Sequence, residues 1–121
     1  MENPKFQIFT DTKGEYRFRL YAKNGDIILH ASEGHASKQG CQTGIASVKA
    51  NAPYDARYDR RISSNSQYYF VLKGANGEII GMSEMYYSTS GRDNGINAVK
   101  RDAPGAPTED LTVSQSSTYR W

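Results

Sequence analysis

The sequence predicts an α+β domain in which two copies of one β-hairpin-plus-helix unit form one antiparallel sheet with two helices packed on one face. Three observations predict this class: an internal repeat, an Asn-Gly pair within a strand-like run of each repeat, and a helical pattern of apolar residues after each run. The 121 residues, 12% of them aromatic, are sufficient for one core. We expect a single domain over residues 1–113, with repeat 1 at about 5–54 and repeat 2 at about 55–113, then a polar tail at 114–121.

The internal repeat is visible at constant spacing. Residues 16–20 followed by Asn24-Gly25 return as residues 68–72 followed by Asn76-Gly77. Further along, a serine, two glycines and a closing proline recur in the same order in both halves. A sequence that is duplicated in this way predicts two copies of one structural unit.

Each unit is expected to begin with a strand, at residues 6–10 and 57–62, and to continue into a β-hairpin. Asn-Gly between apolar runs indicates a two-residue type I′ turn, because both residues tolerate positive φ. With Lys23 opposite Asp26, alternate residues of the first hairpin, Leu20 and Ile27 among them, are predicted to share the core face.

A helix is expected after each hairpin. Ser37 and Ser88 are suitable N-cap residues, and Pro53 and Pro104 mark the ends. The glycines at Gly-x-x-x-Gly spacing within each helix predict close packing of helix on sheet, and residues 111–113 are expected to form a short closing strand. The apolar positions predicted to face the sheet are Cys41, Ile45, Val48, Ala52, Ile96, Val99 and Ala103.

Taken together, the repeated order Asn-Gly-acid-Ile-Ile, then Ser-Glu, then Ser-x-x-Gly-x-x-x-Gly-Ile-x-x-Val-Lys with a closing proline resembles the YegP-like family of small bacterial proteins. The likeness covers nearly the whole chain. The resemblance implies two β-β-β-α-β units that form one sheet with terminal strands exchanged between them, the units being tandem repeats or two single-repeat subunits. It implies no activity, because the family is one of unknown function. The ending Tyr119-Arg120-Trp121 departs from the family pattern.

Charge and composition argue against several classes of protein. Fifteen Lys and Arg against thirteen Asp and Glu give a net charge of +2, too small to imply nucleic-acid binding by itself. A single cysteine cannot form an internal disulfide, and neither a signal peptide nor an apolar stretch near membrane-spanning length is present. We therefore expect a cytoplasmic protein without membrane contact.

The residues that could carry chemistry have simpler structural explanations. His30 and His35 lack the partner spacing of a zinc site, and Cys41 fits the packing face of a helix better than a nucleophile. Glu33 and Glu84 occupy matching positions in the two repeats, so the pseudo-twofold arrangement could bring them together as the acid and base of a glycosidase-type site. Carboxylates just before a helix are also expected from their interaction with the helix dipole. We expect no enzyme, no catalytic residue, no cofactor and no metal; an enzyme using Cys41, Glu33 or Glu84 remains the less favoured hypothesis.

The sheet face opposite the helices is the most informative candidate for function. It is predicted to be aromatic, aliphatic and basic, which is typical of a contact surface for a protein partner or a second copy of the chain. One alternative is a purely structural face that is covered by exchanged strands, a terminus or a second subunit. The other is weak binding of single-stranded nucleic acid, although an RNP-type motif is missing. The predicted face consists of Arg17, Arg19, Tyr21, Ile28, His30, Tyr69, Val71, Lys73, Ile80 and Met82.

Overall fold

The computed structural model describes residues 1–113, which form seven strands and two α-helices. The tail at 114–121, including Tyr119-Arg120-Trp121, lies outside the described residues, so its predicted character stays a prediction. The elements in chain order are β1 (Lys5–Thr10), β2 (Tyr16–Tyr21), β3 (Ile27–Ala31), α1 (Lys38–Asn51), a 3-10 turn (Asp55–Arg57), β4 (Tyr58–Ile62), β5 (Tyr68–Lys73), β6 (Ile79–Met82), α2 (Thr89–Asp102) and β7 (Thr108–Asp110).

All seven strands belong to one sheet, in the order β4-β5-β6-β3-β2-β1-β7. The predicted α+β class, the tandem repeats and the exchange of a terminal strand are confirmed, because β7 follows the second helix yet pairs with β1 of the first repeat. One detail differs: β7 runs parallel to β1, so the sheet is mostly antiparallel rather than wholly so. The predicted position of the closing strand, residues 111–113, is wrong, because β7 is Thr108–Asp110. Just after β7, the Leu111 amide donates to the Ile8 carbonyl at 2.9 Å.

The two repeats meet where β3 pairs with β6, around a pseudo-twofold axis. His30 lies opposite Met82, and Ala31 lies opposite Gly81. Gly81 is the counterpart of Leu29 in the second repeat. Leu29 pairs with Leu20 of β2, and Gly81 pairs with Leu72, the equivalent leucine of β5. A Cβ atom on Gly81 would lie 2.8 Å from Leu29 Cδ2, so the junction has room for one leucine side chain and not for two.

The core consists of equivalent aromatic pairs beneath equivalent helices. The Phe6 and Phe18 ring centroids are 6.1 Å apart in the first half, and those of Tyr58 and Phe70 are 5.7 Å apart in the second. Phe18 and Phe70 are both fully buried. Each half therefore buries the same kind of ring pair, as the duplication predicts.

The helices approach these rings closely because glycine faces them. A Cβ atom on Gly44 would lie 3.2 Å from the Phe18 ring, and one on Gly95 would lie 3.3 Å from the Phe70 ring. The predicted caps are confirmed: the Ser37 hydroxyl accepts a hydrogen bond from the Gly40 amide, and the Ser88 hydroxyl accepts one from the Gly91 amide, each at 3.0 Å. The predicted apolar helix positions, from Cys41 and Ile45 to Val99 and Ala103, are buried.

The hairpin turns are one residue longer than predicted. The Ala22 amide donates to the Asp26 carbonyl at 2.7 Å, and the Gly25 amide donates to the Ala22 carbonyl at 2.9 Å. Gly25 alone takes a positive φ, of 93°, while Asn24 stays outside the left-handed region. The type I′ turn with Lys23 opposite Asp26 is therefore wrong, and the second hairpin is built in the same way, with Gly77 at a φ of 86°.

This turn places a β-bulge in each hairpin. As a result Ile28 and Ile80 face the helices, while Ile27 and Ile79 face the opposite side of the sheet. In the first hairpin Tyr21 pairs with Ile27 and Leu20 pairs with Leu29, which leaves Ile28 as the extra residue. Ile28 is buried in the helix-side core, so its predicted place on the opposite face is wrong. Ile80 is the extra residue of the second hairpin and also packs against the core, so that prediction is wrong for the same reason.

Replacing Gly81 with alanine is expected to destabilise the protein by about 1–3 kcal/mol, because Leu29 must leave its position to admit the new methyl group. Urea unfolding of the Gly81→Ala variant measures this. Gly105→Ala is the control, since a Cβ atom there has no neighbour within 4 Å and no positive φ is involved. Equal free energies of unfolding for the two variants would contradict the role given to the junction.

Candidate binding face

The outer face is the side of the sheet opposite α1 and α2. Residues that alternate with the core positions of each strand point towards it. Val71 shows the distinction, because it is fully buried and yet is not part of the helix-side core cluster. The described residues that we assign to the outer face are Lys5, Gln7, Phe9, Arg17, Arg19, Tyr21, Ile27, His30, Asp59, Arg61, Tyr69, Val71, Lys73, Ile79 and Met82, and Glu84 lies at its margin.

A depression of about 220 Å³ lies on the first-repeat half of this face. Phe9 and Ile27 provide apolar walls, Arg17, Arg19 and His30 provide cationic or polar ones, and one carboxylate, that of Glu84, lies on the His30 side. Ile27 reaches the depression because the β-bulge turns it outward in place of Ile28. The depression therefore combines apolar surface with basic groups, a combination that suits a side chain or peptide from a partner.

Arg19 is the basic group with the least internal compensation. Its guanidinium lies 4.1 Å from the centroid of the Phe9 ring, and its Nε donates to Gln7 Oε1 at 2.8 Å. Among residues 1–113, no carboxylate forms an ion pair with Arg19. Arg17, by contrast, is paired with Asp11 at 2.8 Å. The positive charge of Arg19 is thus held in a fixed place without a neutralising partner in the described chain.

A network of hydrogen bonds through Gln7 fixes the position of the Arg19 side chain. Gln7 is only 8% exposed, and its Nε2 donates to Glu109 Oε1 at 3.0 Å while its Oε1 accepts from Arg19 and from the Tyr21 hydroxyl. Glu109 comes from the exchanged strand β7 and also accepts from Lys5 Nζ at 2.8 Å. The Lys5 ammonium holds the pKa of the Glu109 carboxyl below its usual value. The network is therefore anchored by a strand of the second repeat.

On the second-repeat half of the outer face, both cations contact the same carboxylate. The Asp59 carboxylate accepts from Arg61 at 2.9 Å and lies 3.4 Å from Lys73 Nζ, and hydrogen bonding from Arg61 lowers the pKa of Asp59. Val71 lies opposite Asp59 on one neighbouring strand and opposite Met82 on the other, and it is fully buried. Unlike Arg19, each cation of this half therefore has a carboxylate beside it.

Eight of the ten predicted residues reach the outer face, and two do not. Those on the face are Arg17, Arg19, Tyr21, His30, Tyr69, Val71, Lys73 and Met82, whereas Ile28 and Ile80 lie on the helix side. The prediction missed Phe9, Gln7 and Ile27. The alternation of buried Phe6 and Ile8 in β1 would have indicated Gln7 and Phe9, while Ile27 could not be found without the bulge.

The side chains considered for catalysis are not assembled together. Cys41 is fully buried, and burial raises the pKa of its thiol to about 11, so the thiol is protonated at neutral pH. Glu84 lies at the depression, 3.6 Å from His30 Nε2, whereas Glu33 lines a different hollow beside Glu78. His35 forms an isolated backbone bridge with Tyr16.

Over residues 1–113, no three His, Cys, Asp or Glu side chains come together as a metal site would require. Neither described helix has the length and apolar character needed to cross a membrane.

Comparison with known proteins shows the family. The model of a domain of unknown function, DUF1508, matches residues 11–59 and again residues 63–110. The chain belongs to this family. The two matches reproduce the internal repeat, and the resemblance to YegP-like proteins found in the sequence is confirmed.

The DUF1508 relatives are similar over most of their length. The UPF0339 protein in the ptx operon 5′ region of Stutzerimonas stutzeri is 50% identical over 106 residues, which cover 88% of this chain and 95% of that protein. A UPF0339 protein of Bordetella pertussis is 54% identical over 98 residues, covering 81% and 87%. The solution NMR structure of YegP from Escherichia coli, described as a protein of unknown function, superposes with a TM-score of 0.86 at 38% identity and covers 94% of this chain and 97% of that one.

The burial of Cys41 predicts a slow reaction with thiol reagents in the native protein. At pH 8 the thiol is both protonated and inaccessible, so labelling should follow unfolding events and proceed far more slowly than in urea. Because the chain has one cysteine, a single spectrophotometric time course is enough. Native labelling as fast as labelling of the denatured chain would show that Cys41 is a reactive surface thiol.

Proposed function

We propose that this DUF1508 protein is a non-enzymatic binding module whose outer face contacts a protein partner. The observation that carries the proposal is the depression beside Arg19, where an arginine without a carboxylate partner among residues 1–113 lies against an aromatic ring. Arginine and aromatic residues are enriched at the energetic centres of protein interfaces.

The geometry favours a partner segment that carries both an acidic and an apolar side chain. The acidic group would pair with the Arg19 guanidinium. The Nε atom of Arg19 already donates to Gln7, but its two terminal nitrogens have no hydrogen-bond partner among residues 1–113. These two nitrogens can therefore form charge-assisted hydrogen bonds with the partner. The apolar group would contact Phe9 and Ile27 in the depression. Since Gln7 and Phe9 hold Arg19 in place before binding, little side-chain entropy is lost on association.

A second copy of the chain is the alternative protein partner for the same face. Tyr21, Tyr69 and Met82 are half-buried there and would lose further surface in a dimer. In a dimer, Arg19 would likewise form an ion pair, and the other copy of the chain would supply the carboxylate. The oligomeric state therefore separates the two versions of the proposal.

Single-stranded nucleic acid is the second candidate ligand of the outer face. The observation in its favour is the contact of cations with aromatic rings, Arg19 with Phe9 and Lys5 with Tyr21. Against it, Arg17 pairs with Asp11 and Lys73 lies beside Asp59, so few positive charges are free for phosphates. The charge balance therefore ranks this candidate below a protein partner.

The Arg19→Glu substitution is expected to remove partner binding while the fold persists. The substitution reverses the charge of the one outer-face arginine that has no ion pair in the described chain, so an acidic partner should be repelled. Quantitative affinity capture from the native cell, together with sedimentation velocity over a range of concentrations, measures binding and self-association. Lys13→Glu, in an exposed turn away from the depression, makes the same change in net charge and serves as the control. Retention of every captured protein by Arg19→Glu, with a monomeric wild type, would refute the proposal.

For nucleic acid we expect a weak interaction whose salt dependence corresponds to about one neutralised phosphate, a slope near −0.7 in log affinity against log salt. Fluorescence anisotropy of a labelled oligothymidylate, titrated between low and physiological salt, gives this slope. A slope several times steeper would mean that Arg17 and Lys73 leave their carboxylates to bind phosphate, and it would raise this candidate above the protein partner.

A further inference from the structure

The two repeats differ at the outer edges of the sheet. In the first repeat β1 is flanked by β7, whereas its counterpart in the second repeat, β4, ends the sheet with no strand beside it among residues 1–113. The difference arises from the connections. After α2 the chain runs alongside β1 as β7, but after α1 it passes through the 3-10 turn directly into β4. No strand of residues 1–113 therefore occupies the position beside β4 that corresponds to β7.

The strand registers show which backbone groups lie along the outer edge of β4. Ile8 lies opposite Phe18 in β2, and Arg60 lies opposite Phe70 in β5, so Ile8 and Arg60 are equivalent. The Ile8 carbonyl accepts from the Leu111 amide just after β7, at 2.9 Å. Because hydrogen-bonding groups alternate between the two sides of a strand, the Arg60 backbone points away from β5, as that of Ile8 points towards β7.

At the start of β4 the outward backbone amide has a hydrogen-bond partner, whereas further along the strand the outward backbone groups have no strand of residues 1–113 beside them. The Tyr58 amide donates to the Asp55 carbonyl of the 3-10 turn, which takes the place of the bond between the Phe6 amide and the Pro107 carbonyl in the first repeat. Beyond it, the side chains of Arg60 and Ile62 are exposed, Ile62 to 63%. The open stretch is as short as β7 itself, which pairs with β1 over three residues.

The chemistry of β7 and of the edge indicates what would fit. In the first repeat Asp110 of β7 lies opposite Ile8 and is paired with Lys38 at 2.9 Å. In the second repeat the equivalent position lies opposite Arg60, which contacts Asp55 at 3.1 Å and Asp93 at 3.5 Å. These two carboxylates are shared among three cations, Arg60, Arg92 and Lys100, so one positive charge is left unbalanced beside the edge. An apolar residue two positions after the acidic one would lie opposite Ile62 and cover it. An extended segment with an acidic residue and an apolar residue two positions later is complementary to this edge.

We propose that the edge of β4 accepts an extended segment of a partner polypeptide as an eighth, parallel strand, with an acidic side chain opposite Arg60. This edge is separate from the outer face, and its occupancy does not depend on Arg19. The partner contributes main-chain hydrogen bonds to Arg60, and its side chains select the sequence, as in other cases of strand addition.

The test uses a peptide with the sequence of residues 105–113 in which Glu109 is replaced by Gln and Thr112 by Val, because position 109 would face Asp59 and position 112 would face Ile62 in the second repeat. The full protein is labelled with ¹⁵N and titrated with this peptide into the millimolar range. Amide shifts are expected at Arg60 and Ile62. No shifts, or shifts confined to β1 that report displacement of β7, would overturn the proposal.

Two matched changes test the main-chain bonds. Arg60→Pro removes an amide that points away from β5 and should weaken binding at least about tenfold, whereas Arg60→Ala keeps the amide and loses only the side-chain contact. Should Arg60→Pro fail to fold, the peptide can be N-methylated at the positions of Glu109 and Leu111, which removes the donors from the ligand instead. Unchanged affinity for the folded Arg60→Pro variant, or for the methylated peptide, would refute strand addition.

Discussion

The contact between Leu29 and Gly81 is the constraint on which the joining of the two halves depends. The repeats meet along one short antiparallel pair of strands, and their pseudo-twofold relation brings equivalent core positions close together at that junction. Two large side chains cannot share this space, since even a Cβ atom on Gly81 would lie 2.8 Å from Leu29. The protein resolves the conflict with one leucine and one glycine. A continuous sheet over both repeats therefore requires the two copies to differ at this point.

The close approach of the helices has a similar basis. Gly44 and Gly95 bring α1 and α2 down onto the Phe18 and Phe70 rings, and the buried ring pairs supply much of the apolar surface of the core. Both helices occupy the same side of the sheet, and the other side carries no helix or strand from residues 1–113.

The outer face and the β4 edge owe their properties to the exchange of one strand. β7 supplies Glu109, which holds Gln7 and, through Gln7, the Arg19 side chain. The same exchange protects the edge of β1 and has no counterpart at β4. A duplication in which only one copy has a terminal strand is therefore asymmetric in structure, with an organised basic depression on one half and, among residues 1–113, an edge without a neighbouring strand on the other.

The sequence by itself determined the duplication, the α+β class, the helix caps and the core positions of the helices. These features depend on local pattern: Ser37 and Ser88 cap whatever helix follows them, and apolar residues at helical spacing must face the sheet. The sequence also placed eight of the ten proposed face residues correctly, because strict alternation holds along β2 and β5. Only the tertiary structure decided the orientation of Ile27, Ile28, Ile79 and Ile80, since a turn with a single left-handed glycine shifts the pairing by one residue and a bulge then restores it. It also decided that β7 runs parallel to β1, which is a long-range pairing that no local pattern encodes. The isolation of Arg19 from any carboxylate in the described chain follows from that same pairing, because Glu109 reaches Gln7 and Lys5 rather than Arg19.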